Sequence, residues 1–195
     1  MKTRTKTLLA ALLLLGISCT KETLHPASAA SAQTQDNSTL QTTGHYIGER
    51  FGGGIIFYIY STGTHGLIAD TVDLGVFSWS NGAYFNTATG TEIGAGRANT
   101  RKIILSQGKT GSYAALECAK STRSGYTDWF LPSKDELNEL YKQNSVVGGF
   151  AFNYWSSSQY YTNYLWAWGQ SFPPSGSQFR YTKDGRLNVR AVRSF

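Results

Sequence analysis

Residues 55–60 carry large apolar side chains at consecutive positions. Because neighbouring strand residues point to opposite faces of a sheet, this pattern predicts a strand that is buried on both sides. Residues 61–64 are turn-forming, and residues 65–69 are again largely apolar, so the two segments together predict a β-hairpin. Residues 77–80, around Trp79, indicate another short strand.

Helical segments are predicted in the middle of the chain. Asn99 or Thr100 is a suitable N-cap for the first helix, and residues 112–122 form the second. The third begins with Ser-Lys-Asp-Glu, in which the Ser133 hydroxyl can accept the amide of Glu136 while the Glu136 carboxylate accepts the amide of Ser133. Apolar residues at spacings of three and four follow this capping box, so the third helix is predicted to be amphipathic.

The last part of the chain is dominated by aromatic residues in an alternating pattern. Tyr164, Trp166 and Trp168 alternate with other residues, as expected for a strand with one aromatic face. Residues 176–181 and 187–192 are predicted to form the next strand and the last strand. A hairpin, then helices, then a sheet-rich second half predicts an α+β fold.

The N-terminal residues 1–19 have the features of an export signal. Lys2, Arg4 and Lys6 precede an apolar run that is too short to cross a bilayer as a helix. The run ends at Cys19 after Gly-Ile-Ser, which resembles a relaxed bacterial lipobox, and we therefore expect lipidation of Cys19. The alternative is ordinary secretion, in which Cys19 is discarded with the signal peptide.

A polar segment separates this signal from the globular part of the chain. Residues 20–44 are rich in Ser, Thr, Ala and Gln and predict a flexible tether, followed by one domain over residues 45–195. We expect an outer-membrane protein that is exposed at the cell surface and contacts the membrane through its lipid anchor only. The formal net charge is +6 for the whole sequence, and removal of the three basic signal residues leaves +3, a mildly basic domain.

The sequence lacks the signatures of a catalytic or cofactor site. Cys118, the only other cysteine, lies among apolar residues and is predicted to be a buried, inert thiol. No His-Glu-x-x-His or paired-Cys spacing occurs, and the glycines at 52–54 precede a strand rather than a helix, which excludes a phosphate-binding loop. We expect no enzymatic activity, no cofactor, no metal and no nucleic-acid partner.

Five segments carry a family resemblance. They are Gly-Gly-Ile-Ile-Phe-Tyr (53–58), His-Gly-Leu-Ile-Ala (65–69), Asp-Trp-Phe-Leu-Pro-Ser (128–133), Tyr-Trp-Ser-Ser (154–157) and Val-Arg-Ala-Val-Arg (189–193). In this order, over about residues 45–195, the chain resembles the Legionella collagen-like protein C-terminal domain family. The resemblance implies a C-type-lectin-like fold, with two or three helices on a twisted antiparallel sheet. Members of this family are commonly exported by bacteria, and some are adhesins that bind sulfated polysaccharides. The resemblance implies no shared enzymatic activity.

Calcium-dependent sugar binding is not expected, because the tripeptides Glu-Pro-Asn, Gln-Pro-Asp and Trp-Asn-Asp are absent from the sequence. Acidic residues are also scarce after Glu139, with Asp184 alone, whereas calcium needs six to eight oxygen ligands. Aromatic rings and basic side chains remain as candidates for a metal-free ligand site. The candidate ligand-binding residues are Tyr160, Tyr161, Tyr164, Trp166, Trp168, Arg180, Lys183 and Arg186.

Each group of candidates has a structural alternative. The rings could belong to the core, as we expect for Trp129 and Trp155, although the tyrosines at 160, 161 and 164 lie among polar residues. Arg190 and Arg193 could brace the fold through Asp128, Asp135 or Glu136, whereas Arg180, Lys183 and Arg186 are expected to be solvated around a turn. The sequence predicts a surface-anchored adhesion module for glycan or another extracellular ligand; the alternative is a structural or protein-interaction module of the cell envelope.

Overall fold

The computed structural model describes residues 44–195, and the predictions for the signal, for Cys19 and for nearly all of the tether lie outside the described residues. Within this part the strands are β1 (Arg50–Phe51), β2 (Gly54–Ile59), β3 (Gly66–Ala69), β4 (Gly75–Ser78), β5 (Asn153–Gln159), β6 (Trp166–Ser171), β7 (Gln178–Thr182), β8 (Arg186–Val189) and β9 (Val192–Ser194). The helices are α1 (Gly96–Gln107), α2 (Ala114–Lys120), α3 (Lys134–Lys142) and the single turn α4 (Asn144–Val147).

The predicted hairpin is confirmed as β2 and β3, in a four-stranded sheet of order β1-β2-β3-β9. Gly52 and Gly53 form the two-residue turn before β2 with φ angles of +53° and +88°, which suit glycine at both positions of such a turn. Ile56 and Ile68 pack into one hydrophobic cluster, while Ile55 packs into a second cluster with other β2 and β3 residues. The sheet is therefore buried on both faces, as the sequence predicts.

The capping box at the start of α3 is confirmed. The Ser133 hydroxyl accepts the amide of Glu136 at 3.2 Å, and the Glu136 carboxylate accepts the amide of Ser133 at 2.7 Å. The N-cap predicted for the first helix is wrong, because α1 begins at Gly96. Asn99 instead forms two hydrogen bonds with the backbone of Gly90, and Thr100 accepts the amide of Leu131. These polar side chains serve tertiary contacts, which local sequence does not distinguish from a cap.

The second sheet has five strands in the order β4-β8-β5-β6-β7, antiparallel except where β5 meets β8. The prediction of one last strand over residues 187–192 is wrong. The chain leaves the five-stranded sheet after Val189 and enters the four-stranded sheet at Val192, with Arg190 and Ala191 between them. Arg190 is fully buried at this crossing and bonds to the surrounding loops. The α+β class is confirmed, with four α-helices within residues 44–195 instead of two or three.

Three consecutive buried serines, residues 156–158 of β5, join the helices and loops to the sheet. The first donates to the carbonyl of Trp168 at 2.8 Å, and the second accepts from the side chain of Asn99 at 3.2 Å. The third donates to the carbonyl of Gly90 at 2.7 Å. Small hydroxyl groups satisfy buried polar atoms here without taking much volume, which explains serine at these core positions. Trp129 and Trp155 are core residues, as predicted.

Candidate functional site

The strands β6 and β7 present an aromatic and basic surface that the β5–β6 loop closes at one end. Trp168 and Arg180 are directly paired across the two strands, so their side chains lie on the same face. The loop of residues 160–165 is closed by the amide of Tyr160, which donates to the carbonyl of Trp166 at 2.9 Å, and the Tyr160 ring contacts Trp168 on this face. Asn163 stabilises the loop by accepting the amide of Leu165 at 3.0 Å. The alternating aromatic face predicted for β6 is confirmed at its two tryptophans, which are half-buried.

A surface depression of about 400 Å³ lies in this region. Its lining residues are Tyr160, Thr162, Asn163, Trp166 and Arg180. The Arg180 Nη1 atom donates to the Tyr160 hydroxyl at 2.9 Å, and the guanidinium carbon lies 4.8 Å from the centre of the Tyr160 ring. Tyr160 also contacts Trp168 edge to face, with the ring centres 5.5 Å apart. The depression therefore brings together three of the predicted ligand-binding residues: Tyr160, Trp166 and Arg180.

The electrostatic character of this surface is positive. Lys134, the first residue of α3, places its ammonium 4.7 Å from the centre of the Trp168 ring. Among residues 44–195, no carboxylate forms an ion pair with Arg180 or Lys134. The side chains of Thr162 and Arg180 lower the pKa of Tyr160 below its usual value by favouring the phenolate. An anionic group would meet uncompensated positive charge here.

The other candidate residues lie in four different environments. Tyr161 is 86% exposed and Tyr164 is 49% exposed, so both rings are free to contact a ligand, although neither lines the Arg180 depression. Trp168 is half-buried beneath Tyr160 and Lys134. Arg186 is exposed as predicted, but it lies on β8 and donates to the carbonyl of Val76 at 2.6 Å on the neighbouring edge strand.

The prediction that Lys183 is solvated is wrong. Its side chain is fully buried, and its ammonium donates to Gln159 Oε1 at 2.6 Å and to the carbonyl of Phe85 at 2.9 Å. The ammonium also lies 4.3 Å from the centre of the Trp79 ring. Burial lowers the pKa of Lys183 to about 8. Lys183 thus connects the segment after β4 to the end of β5 through buried hydrogen bonds. It does not belong to an exposed basic turn.

A second depression, of about 460 Å³, lies on the other side of the tyrosine pair. Its lining residues are Asn86, Thr87, Ala88, Thr89, Gly90, Glu92, Lys102, Gln159 and Tyr161. Sequence reasoning missed all of these residues except Tyr161. The segment 79–95 has no helix or strand, and only its polar composition could have indicated a binding loop.

Neither a metal centre nor a spanning helix is found in the described part of the chain. No group of three or more His, Cys, Asp or Glu side chains is placed to hold a metal ion among residues 44–195. None of the helices in this range is long and apolar enough to cross a membrane. Cys118 is fully buried, as predicted, and its burial raises the pKa of the thiol, which disfavours the reactive thiolate.

Comparison with known protein families identifies the family of this chain. The model of the Lcl C-terminal domain matches residues 74–193. The chain belongs to the Lcl C-terminal domain family. The predicted family and its C-type-lectin-like fold are therefore confirmed, and the protein carries a lectin-like module. The matched range includes the motifs at 128–133, 154–157 and 189–193, whereas the two hairpin motifs precede it. No curated protein sequence matches the chain significantly.

Proposed function

We propose that this Lcl C-terminal domain is a binding and adhesion module that captures an anionic glycan without calcium. The observation that carries the proposal is the geometry of Arg180. Its guanidinium lies against Tyr160 in an open depression, and no carboxylate within residues 44–195 pairs with it. A surface arginine that lacks an acidic partner and is held by an aromatic ring is ready to bind a sulfate or carboxylate.

The residues of the depression have complementary roles in the proposed complex. The Arg180 guanidinium offers further N–H donors to an anionic oxygen, beyond the one that Tyr160 accepts. The half-buried Trp166 offers an apolar ring surface for the C–H face of a sugar. Thr162 and Asn163 place polar groups at the rim, where they can bind sugar hydroxyls. Binding without catalysis accounts for all of these groups, and we propose no enzymatic activity.

The proposal places the module at the bacterial surface. A lipid on Cys19 would anchor the chain in the outer membrane, and residues 20–44 would hold the domain away from the bilayer. The expected partners are extracellular, with the membrane contacted through the anchor only.

The proposal is tested by glycan-array binding of the wild type and of Arg180→Gln, which removes the charge but retains hydrogen-bonding capacity. We expect Arg180→Gln to lose about tenfold or more in affinity for sulfated or carboxylated glycans, because a hydrogen bond to a charged group contributes about 1.5–3 kcal/mol. Arg101→Gln, a change at an exposed arginine of α1, is the matched control and should bind as the wild type does. The double variant Tyr160→Ala/Tyr161→Ala should also lose binding. Absence of binding to every anionic glycan, or equal losses in the Arg101 control, would reject the proposal.

A protein-binding role is the second candidate, because apolar side chains are exposed near the same loops. Phe85 is 46% exposed and Leu165 is 39% exposed, beside the more exposed Tyr161 and Tyr164. Such a group of apolar residues suits contact with another protein of the cell envelope. Chemical crosslinking on intact cells would distinguish the two functions. A protein that crosslinks to the domain in a 1:1 ratio, and no longer does so in the Phe85→Ser variant, would favour assembly over glycan capture.

A further inference from the structure

We propose that the second depression is a neighbouring subsite that takes a neutral, hydroxyl-rich sugar unit next to the anionic unit held by Arg180. The inference rests on the proposed function and adds the order of units in the ligand. It follows from three observations: the position of the two depressions, the balance of charge in each, and the hydrogen bonds that fix the loop forming the second depression.

The two depressions are adjacent because a pair of contacting rings separates them. Tyr160 lines the first and Tyr161 lines the second. Their ring centres are 5.4 Å apart and the ring planes are tilted by 56°. A linear chain that crosses the pair would therefore place successive units on opposite sides of it, with one ring facing each unit.

The charge in the second depression differs from that in the first. It contains one carboxylate, on Glu92, and one ammonium, on Lys102, so its formal charge is balanced. No side chain within residues 44–195 forms a hydrogen bond or ion pair with the Glu92 carboxylate, while the Lys102 ammonium keeps its charge and donates to the carbonyl of Ala88 at 2.8 Å. A free carboxylate accepts hydrogen bonds from sugar hydroxyls and repels a sulfate or a second carboxylate.

The loop that forms this depression is fixed by the side chain and backbone of Gln159. Gln159 Oε1 accepts the amide of Thr87 at 2.9 Å, and Gln159 Nε2 donates to Asn86 Oδ1 at 2.7 Å. The amide of Gln159 donates to the Thr89 hydroxyl at 2.7 Å. The second depression is therefore preformed, which reduces the entropy lost when a ligand binds.

These features specify a pattern in the ligand. The Arg180 depression selects an anionic unit, and the Tyr161–Glu92 depression selects a neutral unit beside it. A glycan with alternating anionic and neutral units fits both, whereas a glycan with an anion on every unit places one of them against Glu92.

Two oligosaccharides with the same backbone test this pattern: hexasaccharides of unsulfated chondroitin, in which carboxylated and neutral units alternate, and of chondroitin sulfate, in which every unit is anionic. Binding of both, and of free glucuronic acid, is measured by calorimetry. For Glu92→Gln, we expect affinity for the sulfated hexasaccharide to rise roughly twofold to fivefold relative to the unsulfated one, the size expected for removing one exposed charge at short range. For Tyr161→Ala, we expect the ratio of hexasaccharide to glucuronic acid affinities to fall about fivefold, through loss of ring contact.

The outcomes separate this inference from the proposed function. If Arg180→Gln abolishes binding while Glu92→Gln and Tyr161→Ala leave both ratios unchanged, glycan capture stands and the second subsite is wrong. If the wild type binds no anionic saccharide, the proposed function and the subsite both fail. Tyr46→Ala, which removes another strongly exposed tyrosine, should leave both ratios at their wild-type values.

Discussion

Arg190 is expected to stabilise the domain by connecting three of its segments. It lies between β8 and β9, where the chain passes from one sheet to the other, and it is 1% exposed. Its Nε atom donates to Asp73 Oδ1 at 2.7 Å, its Nη1 atom donates to the carbonyl of Asp70 at 3.0 Å, and Nη2 donates to the carbonyl of Gly149. The guanidinium carbon lies 4.3 Å from the centre of the Phe150 ring. One side chain thus connects the β3–β4 loop, the segment before β5 and the crossing.

Replacement of Arg190 by Met keeps most of the volume but removes the donor to Asp73 Oδ1, to the buried carbonyl of Asp70 and to the part-buried carbonyl of Gly149. Removal of one partner of a buried ion pair costs about 3–5 kcal/mol. The Asp73 side chain is 21% exposed, so water recovers part of this cost and the lower end of the range is expected. For a domain of this size, about 3 kcal/mol corresponds to a fall in Tm of about 6–12 °C. Arg190→Lys should be intermediate, because one ammonium cannot reach all the acceptors.

Urea unfolding of residues 44–195 and of the variants, followed by tryptophan fluorescence, measures this loss. Arg186→Met is the matched control, since Arg186 is exposed and donates to one carbonyl, that of Val76. The control should lose less than about 1 kcal/mol. A loss in Arg190→Met no larger than that in Arg186→Met would refute the assignment of Arg190 as the connection between the loops.

Three further predictions concern other parts of the chain. Ser133→Ala should reduce the free energy of unfolding by about 1–2 kcal/mol in urea titrations, because the capping box loses its hydroxyl. The folded-state pKa of Lys183, about 8, lies below the unfolded value of 10.5, so the folded state binds fewer protons between these pH values and stability rises with pH in this window. The urea midpoint of the wild type should therefore rise from pH 7.5 to pH 9.5, and it should rise more than the midpoint of Lys183→Met does. Cys19→Ser should abolish incorporation of a labelled fatty acid in cells, and retained label would contradict lipidation at Cys19.

The sequence predicts the parts of the fold whose causes are local. The β2–β3 hairpin follows from apolar residues around a turn, and the start of α3 follows from two side chains that cap a helix within four residues. The break at Arg190 and Ala191 has no comparable local signal, because no glycine or proline marks it and the apolar and polar alternation runs from residue 187 to residue 191. The strand ends there for a tertiary reason: the two halves of the segment pair with strands in different sheets.

The candidate site is predicted only in part, for the same reason. The sequence predicts Tyr160, Trp166 and Arg180 as candidates because they are aromatic or basic. That they line the same depression depends on the register of β6 against β7. Lys183 has the same charge as Arg180 and is close to it in sequence, yet one side chain is buried and the other is exposed. Composition cannot separate them, because the difference arises from Trp79, which packs over the lysine.

Buried polar groups explain how long loops of this domain form defined surfaces. The segment 79–95 has neither helix nor strand, but Ser158 and Gln159 of β5 and Asn99 of α1 bind its backbone and side chains at several points. Beneath it, Lys183 bonds to both Phe85 and Gln159. The bonds of Gln159 Oε1 to Thr87 and Lys183 are buried and the others are part-buried, so loss of one partner leaves another polar group poorly satisfied and each bond favours this loop conformation over others. The serine-rich end of β5 thus determines the shape of the second depression, although only Gln159 of that strand lines it.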